Sequence, residues 1–81
     1  MMTVRFTKSA AKDVAGLPVI VKNRVADKIV ALAAYPNVVG VKALVGSLKG
    51  QYRVRVGSYR IIFTVTDVLT IIAVSDRKES Y

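Results

Sequence analysis

The apolar positions of this chain change period along its length, from two to roughly 3.6 and back to two. Val4, Arg5, Phe6 and Thr7 alternate apolar with polar, the pattern of a short strand. Thr7 or Ser9 can cap a following helix. Ala10-Ala11-Lys12-Asp13-Val14-Ala15 is helix-forming, and Gly16 ends it. Pro18 suits the first turn of a second helix. Apolar residues then recur at Val21, Val25, Ile29 and Leu32, a core-facing stripe at helical spacing, while Lys22, Arg24, Asp27 and Lys28 fall mostly on the other side. Pro36 stops this helix soon after Tyr35. The link Gly16-Leu17-Pro18 is short enough to make the two helices a hairpin.

A looser stretch follows from Asn37 to Gly50, punctuated by Gly40, Gly46 and Gly50, with Lys42, Leu44 and Leu48 along a short extended piece. The last third is β. Tyr52-Arg53-Val54-Arg55-Val56 alternates strictly, Gly57-Ser58 is a two-residue turn of the Gly-X kind, and Tyr59 to Val65 returns. A turn near Asp67-Val68 leads into Leu69-Thr70-Ile71-Ile72-Ala73-Val74. The order β-α-α-β-β-β predicts an α+β fold, with the N-terminal helical hairpin packed on one face of a small antiparallel sheet. Residues 1–81 make one domain, with no internal repeat, low-complexity segment or linker.

The two-residue turn fixes a register. Val56 faces Tyr59, Arg55 faces Arg60, Val54 faces Ile61, Arg53 faces Ile62 and Tyr52 faces Phe63. Tyr52, Val54, Val56, Tyr59, Ile61 and Phe63 then share the core face, and Arg53, Arg55 and Arg60 share the other. Like charges directly opposed at ~4.5–5.5 Å between Cβ atoms are destabilising. No acidic residue occurs between Asp27 and Asp67, whereas Lys28, Lys42, Lys49, Arg53, Arg55 and Arg60 all do. One reading is a solvated strand face whose arginine stems cover apolar surface. The other is an anion clamp in which phosphate screens the repulsion. Arginine grips phosphate with a planar fork and stacks on bases, which favours the clamp and RNA as its ligand.

Composition narrows the chemistry. The chain carries thirteen Lys and Arg against five Asp and Glu, a net charge of +8, which argues for an anionic partner. It has neither cysteine nor histidine. A disulfide framework, a zinc enzyme, a Ser-His-Asp hydrolase and a histidine-based nuclease are thereby excluded, and no metal or cofactor is expected. Apolar residues make up 53% of so short a chain, more than a thin core takes up, so part of that surface is expected to face a partner. The longest apolar run, Ile29 to Tyr35, falls far short of the roughly 20 residues of a membrane span. With no apolar segment of signal-peptide type at Met1-Met2-Thr3-Val4, the cytoplasm is the expected compartment.

Three stretches together resemble the RelE/ParE toxin superfamily of type II toxin–antitoxin systems. They are Leu48-Lys49-Gly50, the run Tyr52 to Phe63, and Val74-Ser75-Asp76-Arg77-Lys78-Glu79-Ser80-Tyr81. The opening Val4 to Lys12 is similar to that family's first strand and helix. The resemblance implies a ribosome-dependent mRNA endonuclease, silenced by a cognate antitoxin in a toxin–antitoxin heterotetramer. It also implies roles. Arg60 and Arg77 would bind the scissile phosphate as a ribose 2′-hydroxyl attacks it, and Tyr81 would stack on a base or shuttle a proton. Arg53 and Arg55, with Lys49 and Lys78, would hold flanking phosphates. The chain departs from the pattern where some members carry lysines, at Arg53 and Arg55, which do not deprotonate. It departs again at Asp76, often histidine in the family. Two other functions compete: a ParE-like inhibitor of DNA gyrase without RNase activity, and an inactive relative serving as a binding module or co-repressor.

Overall fold

The computed structural model describes residues 1–44 and 50–76. Its elements are β1 (Val4–Phe6), α1 (Lys8–Ala15), α2 (Val19–Leu32), β2 (Lys42–Ala43), β3 (Gln51–Val56), β4 (Tyr59–Val65) and β5 (Leu69–Asp76). The expected β-α-α-β-β-β order holds, with one addition: the extended piece at Lys42 pairs as a two-residue strand. The five strands form one sheet in the order β1-β5-β4-β3-β2. The sheet is mixed rather than wholly antiparallel, because β1 runs parallel to β5. Tight turns at Gly57-Ser58 and Thr66 to Val68 dictate the antiparallel pairs β3–β4 and β4–β5. No such turn ties β1 to β5; the helical hairpin carries the chain away between them, which leaves β1 able to return alongside β5 in parallel.

Each helix starts and stops for a local reason. The Thr7 hydroxyl accepts a hydrogen bond from the Ala10 N–H at 3.1 Å, an N-cap that answers one orphan donor of α1. Gly16 ends α1 in the right-handed region, at φ −86°, so its role is not the left-handed glycine cap. The break comes two residues later at Pro18, which stands as N-cap of α2. Helix α2 closes at Leu32, three residues short of Tyr35. Ala33, Ala34 and Tyr35 instead donate to the carbonyls of Val30, Ala31 and Leu32, tightening the last turn ahead of Pro36, whose ring disfavours helix in the residue before it.

The core lies between the helices and one face of the sheet. Ala10, Val25, Ile29 and Leu32 meet Val54, Ile61, Phe63, Leu69, Ile71 and Val74, all buried, and Val21 packs against them half-buried. The rings of Tyr35, Tyr52 and Phe63 extend this core, with centroids 5.7–6.3 Å apart. In β5 the buried positions run Leu69, Ile71, Val74, two residues and then three. A bulge opposite Ile62 and Phe63 absorbs the extra residue and returns Val74 to the core face. Strand β1 stops at Phe6, so its pairing with β5 ends at Ile71. Further along β5 the Val74 N–H donates to the Asp13 carboxylate of α1 at 3.1 Å, which satisfies a donor the sheet leaves open.

Candidate nucleic-acid interface

The β3–β4 hairpin positions the arginines. Gly57 takes φ +60° and no other residue type in the described chain has positive φ, so Gly57-Ser58 turns with the left-handed residue first, as the Gly-X turn requires. The register follows it pair by pair: Val56–Tyr59, Arg55–Arg60, Val54–Ile61, Arg53–Ile62 and Tyr52–Phe63. Val54, Ile61 and Phe63 are buried against the helices, which turns Arg53, Arg55 and Arg60 to the opposite face.

The opposed arginines are unequal, which the pattern of the sequence does not reveal. Arg55 is exposed, Arg53 is half-buried, and Arg60 is only 9% exposed. Arg60 lies on the central strand, between Arg55 on β3 and Ser75 on β5. A buried guanidinium is costly unless its charge is answered, and Arg60 is engaged in contacts of its own. Such a group is held by the fold around it, while Arg55 is exposed on the solvent side. A buried cation beside an exposed one is an arrangement suited to holding a phosphate in one orientation.

Alternation also places the acid and the tyrosines. Asp76 pairs with Tyr59 on the helix side of the sheet, away from the Arg60 side chain. Tyr52 shares that helix side and stacks on Phe63. Tyr35 packs there as well; its hydrogen-bonding interaction with the Tyr52 side chain, with burial and the charge of Tyr52, raises its pKa above the ordinary value of 10.0. None of these phenols can serve as a base on the arginine face. Lys49, Arg77, Lys78 and Tyr81 lie outside the described residues.

Two cations that the family pattern leaves unassigned stand near the arginines. Lys42 on β2 is the registered partner of Arg53. Lys28 of α2 joins Lys42, Arg53 and Arg55 around a groove of about 390 Å³ at the β2–β3 margin. The signal for them in the sequence is the acid-free stretch from Lys28 to Thr66. Elsewhere along α2, Val19, Ile20 and Val30 leave about 70% of their surface in solvent. Among the described residues no helix is long and apolar enough to cross a membrane.

The model of the family described as the ParE toxin of type II toxin–antitoxin systems, parDE, matches residues 4–81. The chain belongs to this toxin family. Solved structures of the wider RelE/ParE superfamily agree with it in fold. The toxin–antitoxin complex RelBE2 of Mycobacterium tuberculosis contains a chain 30% identical, with TM-score 0.84 over 94% of this toxin and 98% of that chain. The RelB–RelE complex of Methanococcus jannaschii contains one 26% identical, with TM-score 0.78 over 95% and 94%. The isolated RelE toxin of Escherichia coli, 20% identical with TM-score 0.79 over 94% and 84%, shares the fold. No curated protein matches the sequence significantly.

Proposed function

We propose that this toxin is a ribosome-dependent mRNA endonuclease, inhibiting translation until a cognate antitoxin neutralises it. The observation that carries the reading is the arginine face, with Arg60 anchored in the central strand and Arg55 opposed to it in the open. In the reaction, the 2′-oxygen bonds to phosphorus, the bond from phosphorus to the 5′-oxygen breaks, and the proton of the 2′-hydroxyl ends on that leaving oxygen. Negative charge accumulates on the phosphoryl oxygens in between. Arg60 and Arg77 stabilise it, Arg53 and Arg55 hold the neighbouring backbone with Lys49 and Lys78, and Tyr81 stacks on a base or relays the proton. With no histidine in the chain, charge stabilisation and alignment supply most of the acceleration.

The relatives from M. tuberculosis and M. jannaschii were solved as toxin–antitoxin complexes, which supports an antitoxin as the partner here. Exposed Val19, Ile20 and Val30 offer an apolar helix face for it. A gyrase-directed activity is the second reading, favoured by the match to the ParE family model. Primer extension on ribosome-bound mRNA separates the two. Wild type is expected to cut, and Arg60→Ala and Arg77→Ala to lose cutting. Unchanged cutting in both variants overturns the site, and DNA damage with intact mRNA selects the gyrase reading.

A further inference from the structure

Strand β2 covers only part of its neighbour. It pairs with Tyr52 and Arg53, and among the described residues nothing registers with Val54 to Val56 on that side. The groove at this open margin is lined by Lys28, Gly40, Lys42, Arg53, Val54 and Arg55. Its cations come from three separate elements, α2, β2 and β3, and no carboxylate lines it. The volume, about 390 Å³, falls within the ~300–1,000 Å³ of small-ligand clefts.

The charges are arranged in order. Lys42 is opposed to Arg53, and Arg55 to Arg60, so two like-charged pairs stand side by side on three adjacent strands. The opposition of Lys42 and Arg53 costs stability without an anion. The line from Lys42 to Arg60 crosses two interstrand steps of ~4.8 Å and one two-residue step of ~6.6 Å, about 12 Å in all, longer than a single phosphate. Lys28 and Arg53 are half-buried, their stems packed on the protein. Such stems deliver a charged head to a fixed place.

We propose, on the RNA-cleaving reading of the same face, that Lys28 and Lys42 join Arg53 and Arg55 in a second phosphate seat. It holds a backbone phosphate of single-stranded RNA that flanks the one at Arg60. The track enters at the β2 margin and runs diagonally to the centre of the sheet. Recognition there is of phosphate and not of bases, because lysine meets a phosphate as a point charge with no fixed fork.

The test is fluorescence anisotropy with a labelled single-stranded RNA whose 2′-hydroxyls are methylated, titrated into the full chain over a range of salt. For single strands the slope of log affinity against log salt is about −0.7 per phosphate contact. The double variant Lys28→Gln/Lys42→Gln is expected to bind more weakly and to flatten that slope by about 0.7. Lys8→Gln/Lys12→Gln, an equal loss of charge at α1 beside β5, is the control for bulk electrostatics and is expected to change the slope less. Circular dichroism confirms that both variants fold. A slope in the groove variant equal to the control's overturns the seat while leaving the RNA reading intact. Failure of the wild type to bind RNA at all overturns both. Loss of binding to an acidic peptide with an unchanged RNA slope assigns the groove to a protein partner and also overturns the seat.

Discussion

On the helix side of the β3–β4 hairpin, Val54, Ile61 and Phe63 are buried and the rings of Tyr35 and Tyr52 close over Phe63. On the other side, one residue along on the same strands, Arg55 faces Arg60, in a chain with no acidic residue from position 28 to 66. One alternating sequence builds both. The first face follows the rule for stability, apolar surface removed from water in close packing. The second breaks the corresponding rule for charge, since opposed cations in a sheet are unfavourable. Departure from local consistency confined to one face is what a functional surface superposed on a folding scaffold produces.

The comparison breaks most visibly at Phe63. Truncating a buried phenylalanine costs about 3–5 kcal/mol, and a domain of this size has little more than that to lose, given roughly 0.05–0.15 kcal/mol per residue. Phe63→Ala is expected to leave the chain largely unfolded near body temperature, as measured by urea denaturation, with toxicity lost at the same time. A cooperative transition of wild-type midpoint would mean that the helix face is not the stabilising one.

Arg60→Ala addresses the other face. Removing one donor that stabilises developing charge lowers turnover about 10²–10³-fold. The same loss is expected here in ribosome-bound mRNA cutting, with far-ultraviolet circular dichroism of the wild-type form. Arg60→Lys is expected to restore folding fully and activity only in part, because lysine lacks the planar fork. Arg60 is buried, so both variants need their denaturation midpoints measured. Loss of activity that tracks the midpoint would reduce Arg60 to a structural residue.

A smaller and opposite effect follows from Arg55. Arg55→Glu sets a carboxylate across from Arg60 and replaces a repulsive cross-strand pair with an attractive one, worth about 0.2–1 kcal/mol. At ~4–8 °C per kcal/mol for a domain of this length, the melting temperature is expected to rise by a few degrees while RNA binding falls. A variant that gains stability by losing function would show directly that the two faces answer to different constraints. A lower melting temperature would mean that the opposed arginines carry no strain.

How much of this was legible beforehand depends on what sets each feature. The hairpin register was, in full, because Gly57-Ser58 admits one turn and alternation does the rest. The helical core stripe was legible at Val25, Ile29 and Leu32 for the same periodic reason. The parallel seat of β1 was not, because no turn connects β1 to β5, and the pairing is decided by tertiary packing of α1. The burial of Arg60 was not either: alternation assigns a residue to a face but says nothing about what crosses over that face. Lys42 carried a charge signal yet no positional one, since a two-residue strand is too short to have a period. Arg77 and Tyr81 rest on the resemblance alone.

The smallest effect probes the aromatic closure of the helix face. Tyr35 has a phenol pKa raised above 10.0, chiefly through its hydrogen-bonding interaction with the Tyr52 side chain, with burial and the charge of Tyr52 adding to it. A group whose folded pKa exceeds its unfolded one stabilises the fold in its protonated form. That contribution is complete below the unfolded pKa, near ~10, and disappears as pH rises through the folded value. The hydrogen bond of a half-buried tyrosine lies at the low end of the usual range, about 0.5 kcal/mol. Tyr35→Phe is therefore expected to lower stability slightly at pH 7 and to make it less sensitive to alkali, so that the two denaturation curves converge above pH ~10. Curves that stay parallel through that range would separate Tyr35 from the alkaline limb. The arginine face is expected to give no such convergence: Arg55→Glu keeps its gain in stability across the same pH range.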